Sequence, residues 1–210
     1  MKRILVLMVL VVLCATAMQA QWSDDPSVNL QISDQKGATS GSIKVGKTSD
    51  GKMFVSWISY EGKGAQTRLQ LLDRDGKLLW EKAGILVNEH PAAQYDTDFD
   101  MKVSPDGCAI VAYSDTRSNL ETLLDFKPHV YKIDQEGNYL WGIDGVAIPC
   151  KSHQGMRPRI GITNAGSVIV GYSDAINGLF CMQKISEDGE LEWAQNLELG
   201  GIMGNFIATG

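Results

Sequence analysis

The sequence predicts an all-β fold of repeated four-stranded antiparallel units, on three observations. A strand, a polar turn closed by glycine and a tryptophan four residues later occur three times, at Leu72 to Trp80, Ile133 to Trp141 and Ile185 to Trp193. The turn glycines Gly76, Gly137 and Gly189 stand 61 and 52 residues apart. A second motif recurs in the same order: a glycine-closed hairpin turn, then a strand ending in an aromatic residue, at Thr48 to Trp57, Ser104 to Tyr113 and Thr163 to Tyr172. Its glycines, Gly51, Gly107 and Gly166, are 56 and 59 residues apart. Finally, no segment sustains an apolar period of 3.6 residues, so little helix is expected. Two motifs sharing one order and one period mark a repeat architecture.

The chain opens on a segment that stands outside the fold. Lys2 and Arg3 precede an apolar run from Ile4 to Leu13, and small residues follow at Ala15, Ala17 and Ala20. That run is half the ~20 residues needed to span a bilayer, so residues 1–20 read as a cleaved secretory signal that leaves no membrane span. Leu13 is bulky where a lipoprotein signal has a small residue before its cysteine, which argues against lipidation of Cys14. The expected location is secreted, periplasmic or at the cell surface. Of the 210 residues, 190 then remain, enough for one domain with a real core. Loss of Lys2 and Arg3 takes the formal charge from −6 to −8. Nucleic-acid partners need a basic footprint, and this surface is acidic.

Residues 21–40 follow, with Trp22 to Ile32 reading as an outer strand whose companions lie elsewhere. Residues 41–94 form the first unit, with strands expected over Ser42 to Lys47, Met53 to Ser59, Thr67 to Leu72 and Leu78 to Val87. Residues 95–153 form the second, over Asp98 to Val103, Ala109 to Ser114, His129 to Asp134 and Leu140 to Ile148. Residues 154–200 form the third, over Arg157 to Ile162, Val168 to Ser173, Leu179 to Ile185 and Leu191 to Leu197. Residues 201–210 are a tail. Each strand group has the β-branched and aromatic content, and the glycine punctuation, of hairpin-connected strands. The second-to-third-strand loops vary in length, from Tyr60 to Gln66 against Asp115 to Pro128, and variable loops between constant strands are where specificity resides.

A repeated four-stranded unit of this size is the sequence form of a β-propeller blade, whose two faces are buried by neighbouring blades. The recurring tryptophan suits the gap between blades. Propellers close with four or more blades, whereas this chain supplies three. Two readings follow: the N-terminal part of a larger propeller, or closure by oligomerisation.

Residues Asp73 to Trp80, in the pattern Asp-x-x-Gly-Lys-x-x-Trp, resemble the tryptophan-docking repeat of quinoprotein-type (PQQ-like) propellers. The second and third copies keep the glycine-to-tryptophan spacing and lose the lysine. Ser186, Asp188 and Gly189 are similar to the Asp-box of sialidase propellers, except that aspartate and glycine are adjacent here. The broadest resemblance is to secreted Bacteroidota repeat proteins, in which an aromatic-x-Asp-x-Arg element precedes the tryptophan strand. Tyr113 to Arg117 carries that element in full and Tyr172 to Asp174 carries half of it. The resemblance implies blade architecture and says little of activity.

The repeat alignment exposes positions that differ between units. On the first strands, Ser42 and Lys44 match Asp98 and Asp100, and these match Arg157 and Arg159. Their apolar neighbours, Ile43 and Val45, Phe99 and Met101, Pro158 and Ile160, are expected to face the core. Strand alternation then places the acidic and the basic pairs on the other face. There they form either an ion-pair ladder between units or, through the arginines, a site for a carboxylate or sulfate. Asp96, Asp98 and Asp100 also alternate like the start of a calcium loop. The EF-hand form needs glycine sixth and glutamate twelfth, and Met101 and Gly107 stand there. Calcium through another oxygen-ligand arrangement is the cofactor left open, and no other cofactor is expected.

No nucleophile and base are nominated by the spacing of His90, His129 and His153, and His90 and His129 read as structural. Cys108, Cys150 and Cys181 are too few and too odd in number for a disulfide framework, and the first and last sit in apolar strand patterns. The tryptophans Trp80, Trp141 and Trp193, with Trp57 matching Tyr113 and Tyr172, are expected to pack between units and not to bind sugars. The sequence thus favours an exported binding or interaction module with a protein or glycan partner. Its alternatives are part of a glycan-active hydrolase and a periplasmic PQQ-like scaffold without cofactor.

Overall fold

A computed structural model describes residues 25, 27, 29–33, 39–61, 64–90, 98–117, 121 and 125–200. Among them the protein is all-β and contains no helix. Twelve strands form three four-stranded antiparallel meanders. The first comprises β1 (Thr39–Lys47), β2 (Met53–Glu61), β3 (Gly64–Leu72) and β4 (Ile85–Leu86). The second comprises β5 (Phe99–Val103), β6 (Ala109–Asp115), β7 (Lys127–Ile133) and β8 (Val146–Ala147). The third comprises β9 (Gly155–Ile162), β10 (Val168–Asp174), β11 (Leu179–Ile185) and β12 (Leu197–Gly200). The sheets stack side by side with their first strands adjacent, β5 lying against both β1 and β9. The arrangement is blade-like.

Local chemistry explains the turns. Asp73 Oδ1 accepts hydrogen bonds from the amides of Asp75 (3.0 Å) and Lys77 (2.8 Å), and Asp134 Oδ1 does the same for Glu136 (3.0 Å) and Asn138 (2.7 Å). In the third copy the Ser186 hydroxyl accepts from Glu190 N at 3.1 Å. These side chains satisfy amides that would otherwise turn to solvent, and the closing glycines adopt positive φ.

Period-2 alternation sorts each strand into two faces. Phe54, Ile58, Leu69 and Leu71 on one face of the first sheet pack against Phe99, Met101, Val111, Tyr113 and Tyr131 of the second. Ile110, Ala112 and Val130 on the other face of the second sheet meet Ile160, Val168, Val170 and Tyr172 of the third. Each fully buried large side chain contributes about 1.5–3 kcal/mol. Tyrosine hydroxyls pin the stack at its polar margin: Tyr113 donates to the Ala65 carbonyl at 2.6 Å, and Tyr172 to that of Pro149 at 2.7 Å. Each joins its sheet to the preceding unit, the structural role expected for the aromatic position.

Two expectations need correction. The fourth strands are shorter and later than predicted. After each turn the chain makes a single bridge (Leu72 with Leu78, Ile133 with Tyr139, Ile185 with Leu191) and then leaves the ladder. Gln70 and Gln183 take over as ladder partners, their Oε1 atoms accepting from Trp80 N and Trp193 N at 3.3 Å each. The detour lets the tryptophan reach the neighbouring unit, and pairing resumes only at Ile85, Val146 and Leu197. The second correction concerns Ile43 and Val45, which are 63% and 57% exposed, whereas their counterparts Phe99 and Met101 are 0% and 3% exposed. The pattern is the same, but no sheet of the described residues lies over the first strand of the first unit.

Candidate functional site

The two ends of the sheets differ. The end carrying the glycine-closed turns is occupied by repeated scaffold contacts. Trp80 Nε1 donates to the Gln135 carbonyl at 3.1 Å, and Trp141 Nε1 to the Glu187 carbonyl at 3.0 Å, each indole lying on the turn of the next unit. Gly76, Gly137 and Gly189 close these turns. Lys132 pairs with Asp106 at 2.8 Å and lies 5.9 Å from the centre of the Trp141 ring. Partial burial alone would raise the Asp106 carboxyl, but Lys132 and Ser104 hold it below its usual range.

The predicted inner-strand residues separate. Arg159 Nη2 pairs with Asp98 Oδ2 across the second and third sheets. Asp100 is buried, with Oδ2 accepting from Ile160 N at 3.0 Å and Oδ1 from Met101 N at 3.0 Å. These three residues form contacts between and within units. Asp96 lies outside the described residues. Among those described, no three His, Cys, Asp or Glu side chains come together as a metal-ion site. Arg157 does not join Arg159, because a bulge breaks the alternation between them, where the β9–β10 register shifts.

The opposite end carries the variable loops and gathers polar groups most of which do not repeat between units. Asp115, at the end of β6, is fully buried, and Arg117 grips it with Nε at 3.0 and 3.1 Å and Nη2 at 2.7 Å from its carboxylate oxygens. The same guanidinium donates to the Tyr131 hydroxyl at 2.6 Å and to the Asp144 carbonyl at 3.1 Å. Such a bidentate fork is a strong charge-assisted arrangement. His129 Nδ1 lies 3.1 Å from the Lys127 carbonyl and 3.6 Å from Asp115 Oδ2. Burial is the main force pushing His129 below its ordinary range; Asp115 opposes it, and Arg117 and His90 add to it. His129 is therefore neutral at pH 7. Burial likewise raises the Tyr131 hydroxyl, which stays protonated.

Bordering this group from the first unit is Asn88. Asn88 lies beside the Tyr131 hydroxyl without closing a well-formed hydrogen bond, and among the described residues neither its amide atoms nor the Thr67 hydroxyl has a partner. His90 Nε2 stands 3.5 Å from Asp144 Oδ1 at the rim. The arrangement joins two units and holds a neutral imidazole, but His129 is hydrogen-bonded to no serine, threonine or cysteine among the described residues. In the sequence His129 and His90 read as structural, and nothing in their spacing joins them to one site. The Tyr113-to-Arg117 element was the available signal, and it named Asp115 and Arg117 without their partners.

Farther along the same end, Met156, Arg157, Ser173, Asp174, Ala175 and Leu179 line a pocket of about 280 Å³ on the third sheet. Asp174 is the counterpart of Asp115, but it closes a turn, accepting from Asn177 N at 3.1 Å and Asn177 Nδ2 at 2.9 Å. Cys108, Cys150 and Cys181 are free thiols. Cys108, just before β6, and Cys181, within β11, are buried, and burial pushes the Cys108 thiol up to about 11.

Compared with known proteins, the chain matches no family model and no curated protein.

Proposed function

We propose that the chain is an exported binding or interaction module built of propeller-type blades, with its partner-contacting surface at the variable-loop end. One observation carries this reading: the residues that repeat are used in contacts within and between units, while polar residues that do not repeat collect at one end. Trp80, Trp141, Gly137 and Gly189 belong to the first class, and Arg117, His129 and Arg157 to the second. The leader-like residues 1–20 support export, where a protein or glycan partner would be met.

The propeller reading is supported by burial at matched positions. Phe54 and Ile110 are fully buried, as are Leu69 and Val130, while their third-sheet counterparts Ile169 and Met182 are half-buried. Trp193 stands where Trp80 and Trp141 dock, and its indole has no acceptor among the described residues. A further unit of the same kind would cover that face.

Photo-crosslinking in cells that export the protein tests the binding surface. A crosslinker at Ile176, in the exposed turn between β10 and β11, is expected to give adducts, and one at Asp75, on the turn end, none. Equal labelling from both ends, or none from either, would overturn the reading.

A further inference from the structure

Arg157 differs from every other charge on the inner strands. It lies at the β9 bulge and adopts φ 56°. Left-handed backbone costs a residue with a side chain about 1–2 kcal/mol. β1 carries a bulge too, between Gly41 and Lys44, with the matched Ser42 at φ 47°. The bend therefore belongs to the fold, and only the residue placed on it differs. A bulge re-aims its side chain, and Arg157 leaves the row in which Arg159 reaches Asp98, to lie exposed at the pocket wall.

Its guanidinium has no ion pair or hydrogen bond among the described residues. The one carboxylate in the pocket, Asp174, is 2% exposed and already bonded through both oxygens to Asn177. Burial alone would raise that carboxyl, but Ser152 and Asn177 hold it ionised. Asp174 is thus closed to a ligand as an acceptor, and its charge disfavours a dianion. Met156, Ala175 and Leu179 supply apolar wall. A volume of about 280 Å³ is at the small end of ligand pockets.

We propose that this pocket binds a monocarboxylate on an apolar stem the size of one amino-acid residue, either a free acid or a peptide C-terminus. Arg157 receives the carboxylate in a two-pronged hydrogen bond, and Met156, Ala175 and Leu179 receive the stem. The inference rests on the binding-module reading and gives it a ligand class.

Methyl NMR of the Met156 side chain, with buried Met101 as internal reference, tests it on the mature chain. N-acetyl-leucine is expected to shift the Met156 signal saturably, with N-acetyl-leucinamide and sulfate at least tenfold weaker. A pentapeptide with a C-terminal leucine, compared with its amidated form, separates the peptide source from the free acid. Arg157→Gln should weaken binding at least tenfold. Arg157→Gly should do the same while relieving the backbone, so that the fold is retained or strengthened, and Lys77→Gln, on the exposed turn at the other end, should change nothing. Equal shifts from acid and amide, no shift from any probe, or full binding by Arg157→Gly would overturn the ligand class. Adducts from Ile176 alongside such a failure would leave the binding-module reading standing, whereas loss of both would remove the two together.

Discussion

The Trp141 indole donates its Nε1 proton to the carbonyl of Glu187, 46 residues along the chain, at 3.0 Å. A bond between one unit's tryptophan and the next unit's turn explains why the turn and the tryptophan keep a constant spacing. The turn must present a bare carbonyl and an open surface, and the tryptophan must leave its own ladder to reach them.

Truncating these tryptophans should therefore have unequal effects. Trp141→Ala removes a half-buried ring and its hydrogen bond, and is expected to cost about 2–3 kcal/mol, below the full range for buried aromatics. Trp193→Ala, with no such contact, should cost under about 1 kcal/mol. Urea denaturation of the two variants, with m-values compared, checks the difference.

The turn glycines offer a second comparison. A Cβ on Gly189 would lie 2.7 Å from Trp141 Cδ1, and the residue has φ 90°. Gly178 has φ 62° and no atom within 4 Å of an added Cβ. Gly178→Ala should cost about 1 kcal/mol through backbone alone. Gly189→Ala should cost about 2–3 kcal/mol, since the indole must also shift. Thermal melts that rank the two the other way would contradict the docking geometry.

Stability should fall as pH drops from 7 towards 5. The folded His129 is pushed below its ordinary value of about 6.5, so in that range the unfolded chain binds more protons than the folded one. Its contribution is complete above the unfolded value and declines as pH falls through it. His129→Gln should flatten this part of the profile, and denaturation midpoints at successive pH values measure it.

Arg117→Lys should be poorly tolerated although it keeps the charge. An ammonium cannot reproduce the fork that serves Asp115, Tyr131 and the Asp144 carbonyl at once. Arg117 has a side-chain exposure of 17% while Asp115 has none, so the expected loss is about 2 kcal/mol, under the range for fully buried pairs. Chemical denaturation measures the loss. Hydrogen exchange should place it at the junction of β6 and β7 and the segment around Asn88.

Much of the architecture is legible in the residues because its causes are local. Asp73 and Asp134 bond amides two and four residues on, and the strands alternate with a period that any short window reveals. The inter-unit role of the tryptophans follows from their recurrence. The site was less legible. Arg157 and Arg159 share a face under strict alternation, yet one bulge sends Arg159 to Asp98 and Arg157 to a pocket. His129 and His90 stand in unremarkable sequence, and only folding brings them to the Arg117 group.

By itself the sequence determined the first three strands of each unit, the turns, the recurrence of their motifs and the residues able to bridge one unit to the next, since these depend on hydrogen bonds and side-chain periods spanning a few residues. The tertiary structure alone decided which face of each sheet is covered and which charges meet. Phe99 and Ile43 carry equivalent patterns, and only the presence of a sheet above the first makes it core. Likewise Asp98 finds Arg159 through the placement of whole sheets, a long-range packing outcome that neighbouring residues do not encode.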